Sequence, residues 1–177
     1  MRTNGYIYPD NELYDYVITE FDSKGVTKEK IGEIVFDLEH DFLPDLTLED
    51  YTKEVSNVLH KREVLNNIAT GLYLDKMANK GKLDKPLQSI IENDAGVYGV
   101  DEVLATAVAN IYGSIGVTNY GFEDKTKIGI IGSLDNKHGV VNTFIDDAVG
   151  AIAAAVAGKL AHATVKSDMD DSEVTID

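Results

Sequence analysis

The sequence contains no cysteine and no tryptophan, and only 3 of its 177 residues are proline. The absence of cysteine excludes disulfides, thiolate metal ligands and a cysteine nucleophile, and it fits a reducing cytoplasm. Basic residues are scarce as well, since 16 Lys and Arg stand against 31 Asp and Glu, a formal net charge of −15. This balance excludes a nucleic-acid partner and opposes adhesion to anionic lipid, so a phosphate ligand would need a cation or a nearby lysine.

Long hydrophobic runs are also missing. The nearest candidate, residues 144–163, is interrupted by two aspartates, a lysine and a histidine, which indicates a buried core helix and no membrane span. Residues 1–10 hold one arginine and no apolar stretch, so no secretory signal is expected. We therefore predict a cytoplasmic protein with no transmembrane segment and at most peripheral membrane contact.

What the chain does contain is apolar residues at helical spacing, for example Ile31, Ile34, Val35 and Leu38. Period-two alternation never runs for more than a few residues, so the predicted fold class is all-α, a compact multi-helix domain. Residues 87–92 and 100–115 are expected to be helical, and residues 118–121 read as a turn. Four predicted N-caps follow from the spacing: Asp10, Thr27, Thr47 with Asp50 in a capping box, and Thr143.

The chain divides into three predicted parts. Residues 1–60 form an N-terminal helical extension of ordinary amphipathic helices. Residues 61–162 form the helical domain that carries the dense motifs. Residues 163–177, rich in Asp and Glu, are expected to be an acidic disordered tail.

Two segments are rich in alanine and glycine, residues 105–116 and residues 148–158. Small side chains let helix axes approach closely. The pattern predicts a close-packed central pair of Ala/Gly-rich helices, and it also suits the contact of a homo-oligomer, which we expect.

Adjacent carboxylates precede both small-residue segments, Asp101-Glu102 before one and Asp146-Asp147 before the other. Acidic residues in a first helical turn can simply complement the helix dipole. If the two helices pack side by side, however, the four carboxylates converge, and such a cluster is tolerable mainly around a cation. Oxygen ligands without cysteine or paired histidine favour Mg²⁺ over Zn²⁺.

Three segments resemble motifs of one family. Residues 94–102 resemble the pattern "DPxxIVxDE". Asp124, Lys127, Gly129 and Ile131 resemble "FDxxKPxPI", and residues 144–151 are similar to "mlDDxxAG". All three occur in the order of the phosphatidylglycerophosphatase A family, over about residues 61–162, and the chain further resembles the soluble, N-terminally extended bacterial branch of that family.

The resemblance implies Mg²⁺-dependent removal of the terminal phosphate from phosphatidylglycerophosphate, so the expected partner is a phosphorylated lipid headgroup or small molecule. Its motifs assign the roles as follows: Asp101, Glu102, Asp146 and Asp147 as metal ligands and catalytic groups, Lys127 as the catalytic cation for the phosphate, and Asp94 and Asp124 as supporting groups. Plainer roles remain open: Lys127 on the surface, Asp94 capping a turn, and Asp124 capping the next helix.

Two departures keep alternatives open. The family's Gly-Ser-Pro-rich segment "GSGxxPxxPGT" is not found, and Ile128 and Ile130 stand where the pattern has prolines. The alternative functions are a phosphatase of a soluble phosphoester, and a non-catalytic descendant that binds a structural metal or a protein partner.

Overall fold

The computed structural model describes residues 5–136 and 139–170, with side chains as far as residue 163. All regular secondary structure in these ranges is helical, so the all-α prediction is confirmed. The elements are α1 Asp10–Lys24, α2 Lys28–Glu39, α3 Leu48–Leu59, α4 Arg62–Asn79, α5 Leu87–Glu92, α6 Val100–Ala109, a 3₁₀ turn Asn110–Tyr112, α7 Gly113–Thr126, α8 Ile130–Asp135 and α9 Ile145–Asp170.

The predicted caps at the starts of α2 and α3 are confirmed. The Thr27 side chain accepts a hydrogen bond from the Lys30 amide at the start of α2. Thr47 and Asp50 form the capping box of α3, in which each side chain accepts from the other residue's amide. These contacts satisfy amides that a helix start otherwise leaves unpaired.

Two predicted caps are wrong. Asp10 makes no cap; its carboxylate pairs with the Arg62 guanidinium on α4, at 2.6 and 2.7 Å. Thr143 donates its hydroxyl hydrogen to the Ile91 carbonyl, 2.7 Å away. The Asp75 carboxylate of α4 accepts the first amides of α9 instead. The Asp75 carboxyl offers two acceptor oxygens to the amides of this segment.

Helix α9 passes through the middle of the molecule. Every residue from 142 to 158 is buried, and α2, α3, α4, α6, α7 and α8 all pack against this helix. A helix that is apolar on all sides needs such a surround. The prediction of a buried core helix is confirmed, and in the described part of the chain no helix has the length and hydropathy to cross a bilayer.

Glycines bring α7 against α9. A Cβ on Gly158 of α9 would lie 3.0 Å from the Gly116 nitrogen of α7, and a Cβ on Gly116 would lie 3.5 Å from the Ala154 carbonyl oxygen of α9. The same Gly116 Cβ would lie 2.2 Å from the Ala109 carbonyl oxygen at the end of α6. The prediction of a close-packed central pair of Ala/Gly-rich helices is confirmed, but the helix that approaches α9 here is α7 and not one over residues 100–115.

The predicted helix over residues 100–115 and the turn at 118–121 are both wrong in detail. The chain breaks at Gly113, where φ is +77°, and residues 113–126 form one helix. Thr118 is exposed, whereas Gly116, Tyr120 and Glu123 face the core at helical spacing. Packing of that face overrides the turn-forming tendency of the outward residues.

The N-terminal helices share the hydrophobic core of the rest. Val17, Ile31 and Val55 belong to the same buried cluster as Val149 and Ile152. At the other end, α9 continues to Asp170, into the segment assigned to the acidic tail, and residues 171–177 lie outside the described residues. The division into an extension, a domain and a tail stays a prediction.

A glycine pair within α7 tests the close approach. Gly116→Ala should lower the free energy of unfolding by about 1–3 kcal/mol, because its Cβ meets backbone that cannot move aside. Gly121→Ala, with no atom within 4 Å of the new Cβ, should raise it by about 0.5–1 kcal/mol through helix propensity. Urea unfolding of both variants measures the difference; equal effects would contradict the packing described.

Candidate functional site

The candidate site lies where the end of α7 meets the first turn of α9. Lys127, directly after α7, places its Nζ 3.0 Å from Asp124 Oδ1, 3.0 Å from Asp146 Oδ2 and 3.5 Å from Asp147 Oδ1. Its backbone is left-handed, with φ of 48°, an uncommon conformation for a residue with a side chain. Lys127 is therefore not a solvated surface lysine, and Asp124, inside α7, does not cap the next helix.

Asp146 and Asp147 are nearly excluded from solvent, with exposed fractions of 5% and 6%. Burial raises the pKa of Asp146 to about 6, against the lowering effect of Lys127. Burial and the charge of Asp146 raise the pKa of Asp147 to about 7. Burial alone would lower the pKa of Lys127, but the surrounding carboxylates, Asp146 first, raise it above its usual range. The ammonium thus stays charged and compensates part of the negative cluster.

Asp101 joins this cluster from the start of α6. Its charge acts on both Asp94 and Asp147, whose pKa values are raised first by burial and then by neighbouring carboxylates. The Oδ1 atom of Asp101 is buried and has no hydrogen-bond partner among the described residues. Asp101 therefore contributes one buried oxygen that has no hydrogen-bond partner in the described part of the chain.

The remaining predicted site residues surround this group. Asp94 and Asp146 line the same polar cavity of about 70 Å³, together with Asp135. Glu102 is exposed, and its charge reaches the Tyr120 hydroxyl. The structure therefore joins Asp124, Lys127, Asp146 and Asp147 by direct contacts. Asp94 shares a cavity with Asp146, and the charges of Asp101 and Glu102 act on Asp147 and Tyr120.

The fit to a divalent metal rests on donor chemistry. The side chains are oxygen donors, they repel one another, and the buried Asp101 Oδ1 has no partner among residues 5–136 and 139–163. In those same ranges no group of three carboxylate or imidazole side chains is arranged to hold a metal ion. The Lys127 ammonium instead contacts Asp146 Oδ2 and Asp147 Oδ1. The chemistry suits a hard cation such as Mg²⁺; binding of Mg²⁺ stays a prediction.

Two buried polar groups of α7, the Tyr120 hydroxyl and the Glu123 carboxyl, are not predicted by the sequence motifs. The Tyr120 hydroxyl is buried without a hydrogen bond of normal geometry in the described region, and burial, followed by the charge of Asp147, raises its pKa. Glu123 is fully buried, and neither carboxyl oxygen has a partner there. Positions 120, 123, 124 and 127 share one helical face, a spacing that would have revealed them had α7 been predicted as a helix.

The buried Glu123 carboxyl predicts a pH-dependent stability. Burial, with a smaller effect of Asp37, raises its folded pKa from 4.5 to about 7. The unfolded chain ionises this group above pH 4.5, so stability falls as the pH rises from 4.5 to 7 and stays low above it.

Glu123→Gln should therefore raise the free energy of unfolding at pH 8, by up to about 3 kcal/mol, and change it much less at pH 4. Denaturant unfolding at both pH values measures this, with Glu33→Gln on the exposed face of α2 as the control. A gain of equal size at both pH values would contradict the buried, ionisable state of Glu123.

Comparison with known proteins identifies the family of this chain. The family model "PgpA: Phosphatidylglycerophosphatase A" matches residues 31–162. Uncharacterized protein YutG of Bacillus subtilis is 52% identical over 140 residues, 78% of this chain and 84% of YutG. Uncharacterized protein YpjQ of Bacillus subtilis is 42% identical over 166 residues, 94% of this chain and 93% of YpjQ.

Solved structures agree with the sequence relatives. The low temperature requirement C protein from Listeria monocytogenes superposes with a TM-score of 0.83 at 48% identity, over 86% of this chain and 97% of that one. A protein from Bacillus stearothermophilus superposes with a TM-score of 0.81 at 50% identity, over 89% and 96%. The chain therefore belongs to the phosphatidylglycerophosphatase A family.

Proposed function

We propose that this protein is a Mg²⁺-dependent phosphatase that removes the terminal phosphate of phosphatidylglycerophosphate. The observation that carries the proposal is the Lys127 ammonium, held among Asp124, Asp146 and Asp147 within the matched family region. Phosphoryl transfer asks mainly for positioning and charge neutralisation, and a lysine fixed beside buried carboxylates suits both.

The proposed roles follow from charge and burial. Asp101, Glu102, Asp146 and Asp147 would hold Mg²⁺, which supplies neutralisation of the phosphate oxygens and a lower pKa for water. Lys127 would donate hydrogen bonds to the phosphate. Its side chain keeps 26% of its surface exposed, so it is accessible from solvent.

The reaction is a hydrolysis. The oxygen of a water molecule attacks phosphorus, and the bond between phosphorus and the glycerol oxygen breaks. The proton that the water gives up to a carboxylate passes to the glycerol oxygen, which leaves as an alcohol. Of Asp147 and Glu102, the carboxylate that does not contact the ion directly accepts the proton of the attacking water. The products are phosphatidylglycerol and inorganic phosphate.

A second candidate is a soluble phosphate monoester as substrate. The formal net charge of −15 favours it, because an anionic bilayer repels such a chain. The chemistry at phosphorus is the same for both substrates, so an assay that compares the lipid in micelles with glycerol 3-phosphate decides between them.

Loss of single carboxylates tests the site. Asp101→Asn and Asp146→Asn should each reduce phosphate release by at least about 100-fold, because each removes a charge that the transition state requires. Phosphate release from phosphatidylglycerophosphate with Mg²⁺ is the measurement, and cooperative melting checks the fold. Asp45→Asn, at an exposed position between α2 and α3, is the matched control. Wild-type turnover in both site variants would exclude this location for the reaction.

Melting with Mg²⁺ tests the metal separately from turnover. A ligand at 100 times its dissociation constant stabilises the folded state by about 2.7 kcal/mol. The wild-type midpoint should rise with Mg²⁺, and Asp146→Asn should abolish the rise while Asp45→Asn keeps it. A midpoint that stays constant up to millimolar Mg²⁺ would contradict metal binding in the free protein.

A further inference from the structure

The segment that leads into α9 is held by side chains of α4. Asp75, with an exposed fraction of 2%, accepts hydrogen bonds from the first amides of the helix. Its Oδ1 lies 3.2 Å from the Phe144 nitrogen, and its Oδ2 lies 3.2 Å from that nitrogen and 3.1 Å from the Ile145 nitrogen. Ile145 directly precedes Asp146, so these bonds fix the backbone from which both carboxylates project.

One turn further along α4, Asn79 holds the same segment at a second point. Its side-chain amide donates to the Val141 carbonyl at 2.8 Å and accepts from the Val141 amide at 2.8 Å. Lys24 of α1 donates to the Asn142 side-chain oxygen at 2.7 Å. The approach to α9 is therefore tied to α4 and α1 before the helix begins.

Asp75 does not line the cavity that holds Asp94 and Asp146. It lines a cavity of about 180 Å³ together with Lys24, Lys76 and Ile145. The cavity of Asp94 and Asp146 is a different one. Asp75 contacts this turn through hydrogen bonds to the amides of residues 144 and 145, and its carboxyl also interacts electrostatically with that of Asp146.

We propose that Asp75 is a positioning residue, which sets Asp146 and Asp147 against Lys127 by holding the Phe144 and Ile145 amides; this role rests on the proposed function. No local group replaces it, because the Thr143 hydroxyl is committed to the Ile91 carbonyl. Displacement of a catalytic group by about 1 Å lowers rates by about 100-fold. The geometry of α9's first turn is therefore a condition for turnover.

Kinetics of α4 variants test this role. Asp75→Ala should reduce kcat by about tenfold to 100-fold while KM stays within about threefold, because alignment is lost and substrate contacts remain. Asp75→Asn keeps one acceptor oxygen in the same place and should recover most of kcat. Asn79→Ala is the matched control, since it also removes two hydrogen bonds from α4 to this segment. It should melt earlier than wild type but keep kcat within about threefold.

Amide hydrogen exchange gives a readout that does not need turnover. Asp75→Ala should speed exchange at residues 144–149 by at least about tenfold and leave the amides of α2 and α3 unchanged. If the alanine variant fails to fold, Asp75→Leu, which removes both acceptor oxygens at nearly the same side-chain volume, takes its place and should show the same faster exchange. Wild-type kcat in Asp75→Ala, or an equal kcat loss in Asn79→Ala, overturns the proposal. If the wild-type protein releases no phosphate, the proposed function fails, and unchanged exchange at residues 144–149 overturns the positioning role separately.

Discussion

The first turn of α9 buries two adjacent carboxylates, Asp146 and Asp147, in the interior of a protein that already carries a net charge of −15. Buried charge is costly unless it is paired. The groups around this turn must therefore compensate its charge and satisfy its amides. The Lys127 ammonium compensates part of the charge from the end of α7. The Asp75 carboxyl accepts hydrogen bonds from the Phe144 and Ile145 amides at the start of the helix.

The packing of α9 and α7 fixes the positions of these carboxylates and of Lys127. The apolar body of α9 anchors the turn in the core, where residues 142–158 are all buried. Gly116 and Gly158 allow α7 to lie against α9 at backbone distance, and this approach carries Lys127 to the carboxylates. A larger residue at Gly116 would collide with the Ala109 carbonyl at the end of α6 and displace α7 from its position.

Sequence patterns predicted what depends on local chemistry. The helical periodicity, the caps at Thr27 and Thr47, and the carboxylate pairs at two helix starts are all read within a few residues. The remaining features depend on contacts between distant segments. Asp75 caps a helix that begins 70 residues later, and no local pattern announces such a partner.

Helix α7 shows a second feature that depends on packing. A turn at residues 118–121 does not place Tyr120 and Glu123 on the helical face of Asp124 and Lys127, whereas the observed helix does. Both residues carry buried polar groups without partners among the described residues, a cost that appears only once the packing against α9 is known. Burial of polar groups is a tertiary property, and it marks this site more clearly than composition does.

The central claim is that the four carboxylates and Lys127 form one site for a divalent cation and a phosphate. A crystal structure with Mg²⁺ and a non-hydrolysable phosphate analogue tests it most directly. We predict an ion bound to oxygens from both Asp101-Glu102 and Asp146-Asp147, with the phosphate of the analogue on Lys127 Nζ. A structure in which Mg²⁺ and the analogue bind elsewhere, while the carboxylates engage Lys127 alone, would contradict the claim.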